Sequence, residues 1–482
     1  MNVLQVSAEI FPLLKTGGLA DIAGALPAAL KAVGCDARVL LPGFAPIMAD
    51  LQNSAVLAEL HAPWGERVAV RLGYLASLQV MAYVIDSASL YLRHGSPYED
   101  SHRQPYPDNY RRFALLGWVG ARLANGLDTR WQPHVIHSHD WHAAMVSAYM
   151  AFTSAQELYV ASVYTVHNLA YQGVFAPRHF FELGLPASAF SVDGLEFHGQ
   201  LSFMKAGLYY ADHITTVSPS YAREIQTPEQ GCGLDGLLRA RAKDLTGILN
   251  GVDDAIWDPG HDGAIAHRFD ADNIDGKSHC KRALQQELGL AERADAPLFG
   301  VVSRLTEQKG LHLVLSVLDD LLARGGQLVL LGAGDSGLET AFRERAAQHP
   351  QSVSVRIGYD EAYAHRIFSA TDVTMVPSRY EPCGLTQMYG LKYGSLPLVH
   401  HVGGLADTVV DCTLEDLANG SANGFVFHHF DNASLLRAVD RAFALYRRSD
   451  EWRVVRQRAM SQPLGWDKAA TRYVELYRRL CP

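Results

Sequence analysis

The first residues whose types and spacing could do chemistry are Lys15, Gly17 and Gly18, in the run Lys15-Thr16-Gly17-Gly18-Leu19-Ala20-Asp21. They follow a short apolar run, Val3 to Ala8, and precede a segment with helical periodicity. A strand, a glycine loop and a helix N-terminus can direct backbone N–H groups and a lysine ammonium at one anion. Because the spacing matches neither a Walker loop nor Gly-x-Gly-x-x-Gly, a phosphate site and a simple turn are equally compatible with it.

Two cations and a carboxylate in the second half of the chain form another candidate site. Arg304 and Lys309 lie five positions apart at the end of the apolar run Leu298 to Ser303, before a helical segment. A planar guanidinium and an ammonium at the end of a strand can hold a diphosphate. Glu381 follows a second apolar run, Val373 to Val376, and precedes a glycine-containing turn. Since a carboxylate suits sugar hydroxyls and a helix N-terminus suits phosphate, the combination predicts a nucleotide-sugar site.

Asp140 and His167 follow two further apolar runs in the first half of the chain. Ligands of open α/β sheets gather at the carboxyl ends of the strands, so both residues are placed where chemistry would occur. A metal site is the alternative interpretation, because histidines also stand at 134, 137 and 139 and at His142. No His-Glu-x-x-His pattern or cysteine ligand accompanies them, so polar loop or active-site residues are favoured and no metal is predicted.

A literal Gly-x-Gly-x-x-Gly pattern occurs at Gly332, Gly334 and Gly337, with Asp360 further along the chain. It supports an alternative function, that of a nicotinamide-dependent oxidoreductase. The pattern follows the second predicted strand of its domain, whereas the dinucleotide fingerprint belongs to the first strand-to-helix turn. A tight turn of small residues is therefore the favoured interpretation.

Composition limits the class of protein and its partners. The chain has 482 residues, of which 48% are hydrophobic and 19% charged, as expected for a globular protein with two domains. A net charge of −9 creates no field that would attract nucleic acid or anionic lipid. The six cysteines are scattered without paired spacing, and no targeting or membrane-spanning segment is evident. These features predict a cytoplasmic protein without nucleic-acid or membrane partners.

Apolar runs of strand length alternate with segments of helical length in both halves of the chain. The first half opens with a strand at Val3 to Ala8, a helix from Leu19 to Val33 and a strand at Ala37 to Leu41. The second half restarts at Leu298, after the turn-forming run Asn250-Gly251-Val252-Asp253. This alternation predicts two doubly wound α/β domains with parallel sheets.

Several motifs together resemble the bacterial glycogen synthase family, retaining glycosyltransferases that are also similar to plant starch synthases. Besides the motifs at 15–21, 303–310 and 381–387, they are His139-Asp140-Trp141-His142, Thr165-Val166-His167-Asn168-Leu169-Ala170-Tyr171-Gln172-Gly173, Lys205-Ala206-Gly207 and Asn250-Gly251-Val252-Asp253. The resemblance implies the GT-B fold, an α/β class in which two doubly wound Rossmann-like domains face each other across a deep cleft. It also implies an acceptor-side domain over 1–248, a nucleotide-sugar-binding domain over 249–455, and a C-terminal helix over 456–482 that returns to the first domain.

The resemblance further implies roles for individual residues. Lys15 and the Gly17-Gly18 backbone would approach the donor phosphates from the N-terminal domain, and Arg304 and Lys309 would hold them from the other. The implied catalytic set is completed by Glu381, His167 and Asp140, with His167 near the glucose 6-hydroxyl. Further donor-binding candidates are Asn250, Tyr359 as a stacking partner for adenine, Gly384, Leu385 and Thr386, and acceptor-side candidates are Tyr98 and Asp21. The wider clan has a second glutamate eight positions after the first, where this sequence has Tyr389.

The reaction implied by the resemblance transfers glucose from ADP-glucose to the non-reducing-end 4-hydroxyl of an α-1,4-glucan such as glycogen, with retention and without a cofactor. Fixed cations and helix N-termini can stabilise the departing diphosphate. Because no carboxylate pair indicates a double displacement, same-face attack is favoured over a covalent intermediate. Loss of Arg304 or Lys309 is expected to reduce the catalytic rate and leave the fold intact. A non-catalytic glucan-binding protein remains a second alternative.

Overall fold

The structure is a computed structural model and describes residues 1–153 and 159–481. The chain divides into two compact units, of which unit 1 comprises Met1–Gly251 with Trp466–Pro482 and unit 2 comprises Val252–Gly465. The domain boundaries predicted from the sequence, at 248/249 and 455/456, each lie before the corresponding division between units. The assignment of functions to these domains stays a prediction.

Unit 1 is built on a sheet whose strands follow the order β12-β11-β7-β6-β1-β2-β5-β4-β3. The strands of unit 1 are β1 (Asn2–Val6), β2 (Asp36–Pro42), β3 (Leu51–His61), β4 (Arg67–Leu75), β5 (Val80–Asp86), β6 (Val135–His139), β7 (Ala161–Val166), β8 (Val174–Phe175), β9 (Glu196–Phe197), β10 (Gln200–Ser202), β11 (His213–Thr216) and β12 (Leu245–Gly247). Pairing is parallel from β12 to β5, and β4 and β3 are antiparallel additions.

The order of the strands in unit 1 creates a switch point between β1 and β6. The chain leaves β1 outward through β2 and later returns to β6 on the other side of β1. Connections therefore diverge at the carboxyl ends of these two strands, and ligands of doubly wound sheets bind in the crevice that results. The loop with Lys15 follows β1, and Asp140 follows β6.

Helices cover the sheet of unit 1, including one from the end of the chain. They are α1 (Gly18–Ala32), α2 (Ala45–Asp50), α3 (Ala88–Tyr91), α4 (Asn109–Ala124), α5 (Asp140–Ala143), α6 (Met145–Ala151), α7 (Phe203–Tyr210), α8 (Pro219–Glu224), α9 (Asp235–Ala240) and α19 (Trp466–Leu480). In α19 the buried residues Trp466, Tyr473 and Tyr477 recur at helical spacing and pack in one core cluster with Leu26 and Val163. The C-terminal helix is therefore part of the core of unit 1.

Unit 2 is built on a parallel sheet whose strands follow the order β15-β14-β13-β16-β17-β18. Its strands are β13 (Leu298–Val302), β14 (Gln327–Gly332), β15 (Val353–Ile357), β16 (Val373–Val376), β17 (Leu396–His400) and β18 (Phe425–Phe427). Its helices are α10 (Asp275–Leu288), α11 (Leu311–Ala323), α12 (Ser336–Gln348), α13 (Glu361–Ala370), α14 (Thr386–Lys392), α15 (Gly403–Thr408), α16 (Leu414–Asn419), α17 (Asn432–Tyr446) and α18 (Ser449–Met460). The switch point falls between β13 and β16, which precede Arg304 and Glu381 respectively.

The central strands of both sheets are buried along almost their whole length, as in β6, β7 and β14. Helices on both faces of a parallel sheet account for this burial, and for the continuous apolar runs in the sequence. Within the described residues, no helix combines the length and the apolar character needed to cross a bilayer.

Candidate active site

The loop between β1 and α1 is held in place by Glu9, a residue whose role the sequence does not predict. Its side chain is 2% exposed and accepts hydrogen bonds from the Thr16 backbone N–H at 2.6 Å and the Thr16 hydroxyl at 2.5 Å. The Tyr98 phenol also donates to Glu9, which ties the loop after α3 to the same point. Glu9 directly follows the apolar run Val3 to Ala8, as Asp140 directly follows β6, and that position is the signal that could have identified it.

The glycines of this loop leave the backbone at the start of α1 open. Gly17 is the N-cap of α1, with φ −160°, and both Gly17 and Gly18 are exposed. A Cβ atom built on Gly17 would meet no atom within 4 Å. The N–H groups of the first helical turn have no intrahelical acceptor, so an anion could approach them here. The structure thus shows an accessible helix N-terminus at the predicted position.

Lys15 and Asp21 are brought together next to this helix start. The Lys15 ammonium lies 2.7 Å from the Asp21 carboxylate and 5.0 Å from the centre of the Phe11 ring. Both charged side chains are about one-fifth exposed, at 23% and 20%. A pair of this kind contributes little to stability, about 0–1 kcal/mol, so the lysine can exchange partners at small cost.

Asp140 has an unusual environment at the end of β6. Its backbone φ is +55°, in the left-handed region that non-glycine residues seldom occupy. One carboxylate oxygen accepts from the backbone N–H groups of His167 at 2.8 Å and Asn168 at 3.4 Å. Burial raises the pKa of Asp140 to about 7, although both backbone hydrogen bonds favour the charged form. The side chain therefore changes protonation near neutral pH, as general acids and bases do.

The structure brings Asp140, His167 and Tyr98 into the same part of unit 1. His142 follows Asp140 in α5, and its ring stacks on Tyr98 with centroids 4.7 Å apart. Burial lowers the pKa of both His142 and His167 to about 3, so both rings are neutral at pH 7. Asn250 lies beyond β12 and is 3% exposed, and neither its amide nitrogen nor its oxygen has a hydrogen-bond partner among the described residues.

The histidines that suggested a metal site are used in other contacts. His137 lies within hydrogen-bond distance of Tyr477 and Thr165, at 2.7 and 2.5 Å. The Nδ1 atom of His134 accepts from the Asn2 backbone at 3.0 Å. Across residues 1–153 and 159–481, no group of three or more histidine, cysteine or acidic side chains is arranged to hold a metal ion.

In unit 2, Lys309 and Glu381 form an ion pair between the loops that follow β13 and β16. The ammonium lies 2.5 Å from one carboxylate oxygen, which also accepts from the Ser378 hydroxyl at 2.8 Å. The carboxylate side chain is only 9% exposed. Arg304 is exposed on the first of these loops. The predicted cations and carboxylate therefore stand at the switch point of the sheet, with one of the two cations available to an anion.

The glycines of the Gly-x-Gly-x-x-Gly pattern pack against the loop that carries Arg304. A Cβ atom on Gly332 would lie 1.9 Å from the Ser303 carbonyl oxygen, and one on Gly334 would lie 2.3 Å from that of Leu305. The Leu305 N–H donates to Ala333 at 2.9 Å, which joins the two loops. The glycines permit this close approach, so the pattern has a packing role and needs no dinucleotide to explain it.

The second Gly-Gly-Leu-Ala-Asp sequence, at 403–407, has a similar role toward Glu381. The Gly404 N–H donates to the Glu381 carbonyl at 3.0 Å. A Cβ atom on Gly404 would lie 2.0 Å from the Cys383 carbonyl oxygen. In contrast to the open Gly17, Gly404 is enclosed by the backbone of the segment that holds the carboxylate. The same five residues therefore expose a helix start in unit 1 and support a loop in unit 2.

The remaining predicted residues of unit 2 follow β16 and β15, at the same carboxyl edge of the sheet. Gly384 has φ +70°, and its turn leads through Leu385 and Thr386 into α14, with all three residues half-buried. Tyr359 follows β15 and is 69% exposed, and its hydroxyl donates to Glu361 at 2.6 Å. An exposed aromatic ring at a strand end could stack on a base.

Tyr389, which replaces the second glutamate of the wider clan, belongs to an aromatic stack. Its ring lies 3.8 Å from the Trp257 ring with an angle of 12° between the planes, and His365 covers the opposite face of Trp257 at 3.9 Å. The Asp262 carboxylate lies 2.7 Å from the His365 ring nitrogen. The tyrosine therefore anchors the first residues of unit 2 to α13 and α14.

Comparisons with known proteins match the whole chain. A family model described as the starch synthase catalytic domain matches residues 2–240, and one for group 1 glycosyl transferases matches 286–454. The glycogen synthases of Variovorax paradoxus and Leptothrix cholodnii are 64% and 57% identical to the chain, and cover 99% and 100% of both sequences. The catalytic domain of starch synthase IV from Arabidopsis thaliana, solved with ADP and acarbose, is 30% identical with a TM-score of 0.89, over 100% of this chain and 99% of that one. A sucrose-phosphate synthase from Thermosynechococcus elongatus shares the fold, at a TM-score of 0.58 and 17% identity.

The fold and these matches define a glycosyltransferase of the GT-B class, which confirms the predicted fold class and enzyme class. Within that class, the chain belongs to the glycogen synthase family. Membership of this family confirms the predicted role in glycogen synthesis. The comparisons favour that role over the oxidoreductase and the non-catalytic glucan-binding alternatives.

Proposed function

We propose that the protein transfers glucose from ADP-glucose to the non-reducing-end 4-hydroxyl of an α-1,4-glucan, with retention of the anomeric configuration. The observation that carries the proposal is the placement of Arg304, Lys309 and Glu381 at the switch point of unit 2. These groups suit a diphosphate joined to a sugar, and the related starch synthase IV was solved with ADP and acarbose. The scattered cysteines of the sequence favour a cytoplasmic location.

The residues of unit 2 account for binding of the nucleotide diphosphate. The Arg304 guanidinium would hold the phosphates through its planar fork, and the Lys309 ammonium would add a second positive charge. Glu381 would accept hydrogen bonds from glucose hydroxyls, with the Gly384-Leu385-Thr386 backbone donating to the sugar or phosphate. Tyr359 would stack on the adenine.

The residues of unit 1 account for the sugar and the acceptor. Lys15 would exchange Asp21 for a donor phosphate, beside the open backbone of Gly17 and Gly18. Asp140, His167 and Asn250 would surround the transferred glucose, since each presents a buried polar group at the carboxyl edge of the sheet. Tyr98 and Asp21 would lie toward the acceptor glucan. The buried amide of Asn250, with no protein partner among the described residues, fits a role in binding hydroxyl groups.

Catalysis in this scheme is mainly electrostatic. The departing diphosphate gains negative charge as the glycosidic bond breaks, and fixed cations stabilise that charge more strongly than they stabilise the bound donor. The acceptor hydroxyl attacks from the face that the diphosphate leaves, and the leaving phosphate takes its proton. This route requires no covalent glucosyl-enzyme, and we assign no second carboxylate as a nucleophile.

The proposal is tested by measuring nucleoside diphosphate release from ADP-glucose and from UDP-glucose, with glycogen present and absent. We expect glycogen-dependent ADP release that is at least about 100-fold slower in Arg304→Ala, the scale of losing a charged group that stabilises a transition state. Arg324→Ala is the matched control, because Arg324 is an exposed arginine of the same unit paired with Asp440. Near-normal turnover in Arg304→Ala would refute the role of the guanidinium. Faster release of UDP from UDP-glucose than of ADP from ADP-glucose would refute ADP-glucose as the donor.

A further inference from the structure

We propose that Gln5 and His139 are positioning residues that fix the tautomer of His167, so that the Nδ1 atom of His167 accepts a hydrogen bond from a hydroxyl of the transferred sugar. The identity of that hydroxyl rests on the proposed function. The state of the imidazole rests on the geometry of unit 1 alone.

Three buried side chains form a line of hydrogen bonds across adjacent strands. Gln5 lies in β1, His139 ends β6 and His167 follows β7, and these strands are neighbours in the sheet. The Gln5 Oε1 atom lies 2.6 Å from His139 Nε2, and His139 Nδ1 lies 3.0 Å from His167 Nε2. Gln5 and His139 are 2% and 0% exposed, and His167 is 8% exposed. Bulk water is therefore not a competing partner for these atoms.

The hydrogen bond between Gln5 and His139 determines which atom donates in the next bond along the line. The Gln5 amide nitrogen donates to the Tyr477 hydroxyl at 3.4 Å, so the amide oxygen faces His139 and can only accept. His139 must then carry its proton on Nε2, and in a neutral ring its Nδ1 is an acceptor. His167 must donate to that acceptor from Nε2, which leaves its own Nδ1 without a proton. The carboxamide of Gln5 thus determines the tautomer of the His167 ring, through the His139 ring that lies between them.

Both rings are neutral at pH 7, as this sequence of donors and acceptors requires. Burial lowers the pKa of His167 to about 3 and that of His139 well below its ordinary range. The neighbouring Asp140 carboxylate accepts from the backbone N–H of His167 at 2.8 Å. The His167 Nδ1 atom is buried and has no hydrogen-bond partner among the described residues.

An acceptor in a fixed position selects for a hydroxyl group on the ligand. A buried nitrogen lone pair costs free energy when nothing donates to it, so a sugar that lacks the hydroxyl is bound less well. In the opposite tautomer the same position would present an N–H donor. Under the proposed function, the hydroxyl is the 6-hydroxyl of the glucose in ADP-glucose.

The first test is spectroscopic and requires no activity. Proton–nitrogen correlation spectra of histidine-labelled protein distinguish Nδ1-protonated from Nε2-protonated rings, and the His167 signal is identified by its loss in His167→Gln. We expect a single Nε2-protonated His167 in the wild type and a mixture of tautomers in Gln5→Leu. Ser138→Ala is the matched control, since Ser138 lies in β6 beside His139 and its hydroxyl donates to Val163. A proton on Nδ1 in the wild type, or an unchanged ratio in Gln5→Leu, would overturn the proposal.

The second test compares ADP-glucose with ADP-6-deoxyglucose as donors. We expect Gln5→Leu to lower kcat/KM for ADP-glucose about two- to threefold, because only part of the protein then holds His167 in the accepting tautomer, and to leave the 6-deoxy donor nearly unaffected. Ser138→Ala should affect neither donor. Equal losses with both donors would overturn the assignment of the hydroxyl. If the tautomer is as expected but the protein transfers no sugar from any donor, the proposed function fails while the assignment of the imidazole stands.

Discussion

Replacing Asp140 by Asn should make the protein more stable than the wild type, by an amount that grows as the pH rises, while reducing its activity. Asparagine keeps an acceptor for the backbone N–H groups of His167 and Asn168, and it tolerates the left-handed backbone at this position. The substitution therefore changes the ionisation of the side chain and little else. Stability and activity should respond in opposite directions because the buried carboxyl serves the reaction and not the fold.

The magnitude follows from the pKa of the buried carboxyl, which burial raises from 3.8 to about 7. The folded protein holds this proton up to about pH 7, whereas the unfolded chain releases it near pH 4. The wild type thus loses free energy of unfolding between pH 4 and pH 7, by about 4 kcal/mol in total, at 1.4 kcal/mol per pKa unit. Asp140→Asn lacks this loss, so its free energy of unfolding minus that of the wild type should rise across the window and level off above pH 7.

Denaturant titrations of both proteins from pH 5 to pH 8 measure this difference, and subtraction removes the contributions of all other groups. Asp108→Asn is the control, because burial is outweighed there by hydrogen bonds with Arg93 that lower the pKa of Asp108, and an arginine keeps its charge at every pH used. The stabilising effect of the Asp108 charge is lost only below about pH 4, so that variant should be less stable by a constant amount over the same range. A flat or falling difference for Asp140→Asn would refute the argument that Asp140 is a strained, desolvated acid.

Three further outcomes are expected from substitutions in the candidate site and in the two Gly-Gly-Leu-Ala-Asp sequences. Lys309→Ala should lower the free energy of unfolding by about 2 kcal/mol in denaturant titrations, because it leaves a buried carboxylate without its cation. The variant should still fold, and an unchanged midpoint would contradict the expected loss. Lys15→Gln should raise the KM for the donor and change thermal stability by less than about 1 kcal/mol, since its ion pair is partly exposed, and an unchanged KM would count against a phosphate role. Gly404→Ala should destabilise the protein by about 3 kcal/mol, against about 1 kcal/mol or less for Gly17→Ala, and equal melting temperatures would refute the distinction between the two Gly-Gly-Leu-Ala-Asp sequences.

The strands that were predictable from the sequence are those in the interior of the sheets. The apolar run at 373–376 has the bounds of β16, and the run at 298–303 ends one residue beyond β13, because burial on both faces removes polar residues from such runs. The strand β3 was not predicted, since most of its residues are exposed and it exists through pairing with β4 at the edge of the sheet.

The positions of the candidate site residues could be predicted, and their contacts could not. Asp140 and Arg304 follow predicted strands, and the carboxyl ends of parallel strands meet at one edge of the sheet. The role of Glu9 depends on hydrogen bonds with Thr16 and Tyr98, and Tyr98 is 89 residues away along the chain. The packing role of Gly332 likewise depends on the Ser303 carbonyl, so its sequence pattern alone suggested a dinucleotide.

The measurement that tests the proposed function most directly is the elongation of glycogen by the purified protein with radiolabelled glucose supplied as ADP-glucose. We expect label to enter α-1,4-linked glucan in a one-to-one ratio with released ADP, and both signals to fall together in Arg304→Ala. Binding of glycogen without release of ADP, or release of ADP without elongation of the glucan, would contradict the proposed transfer.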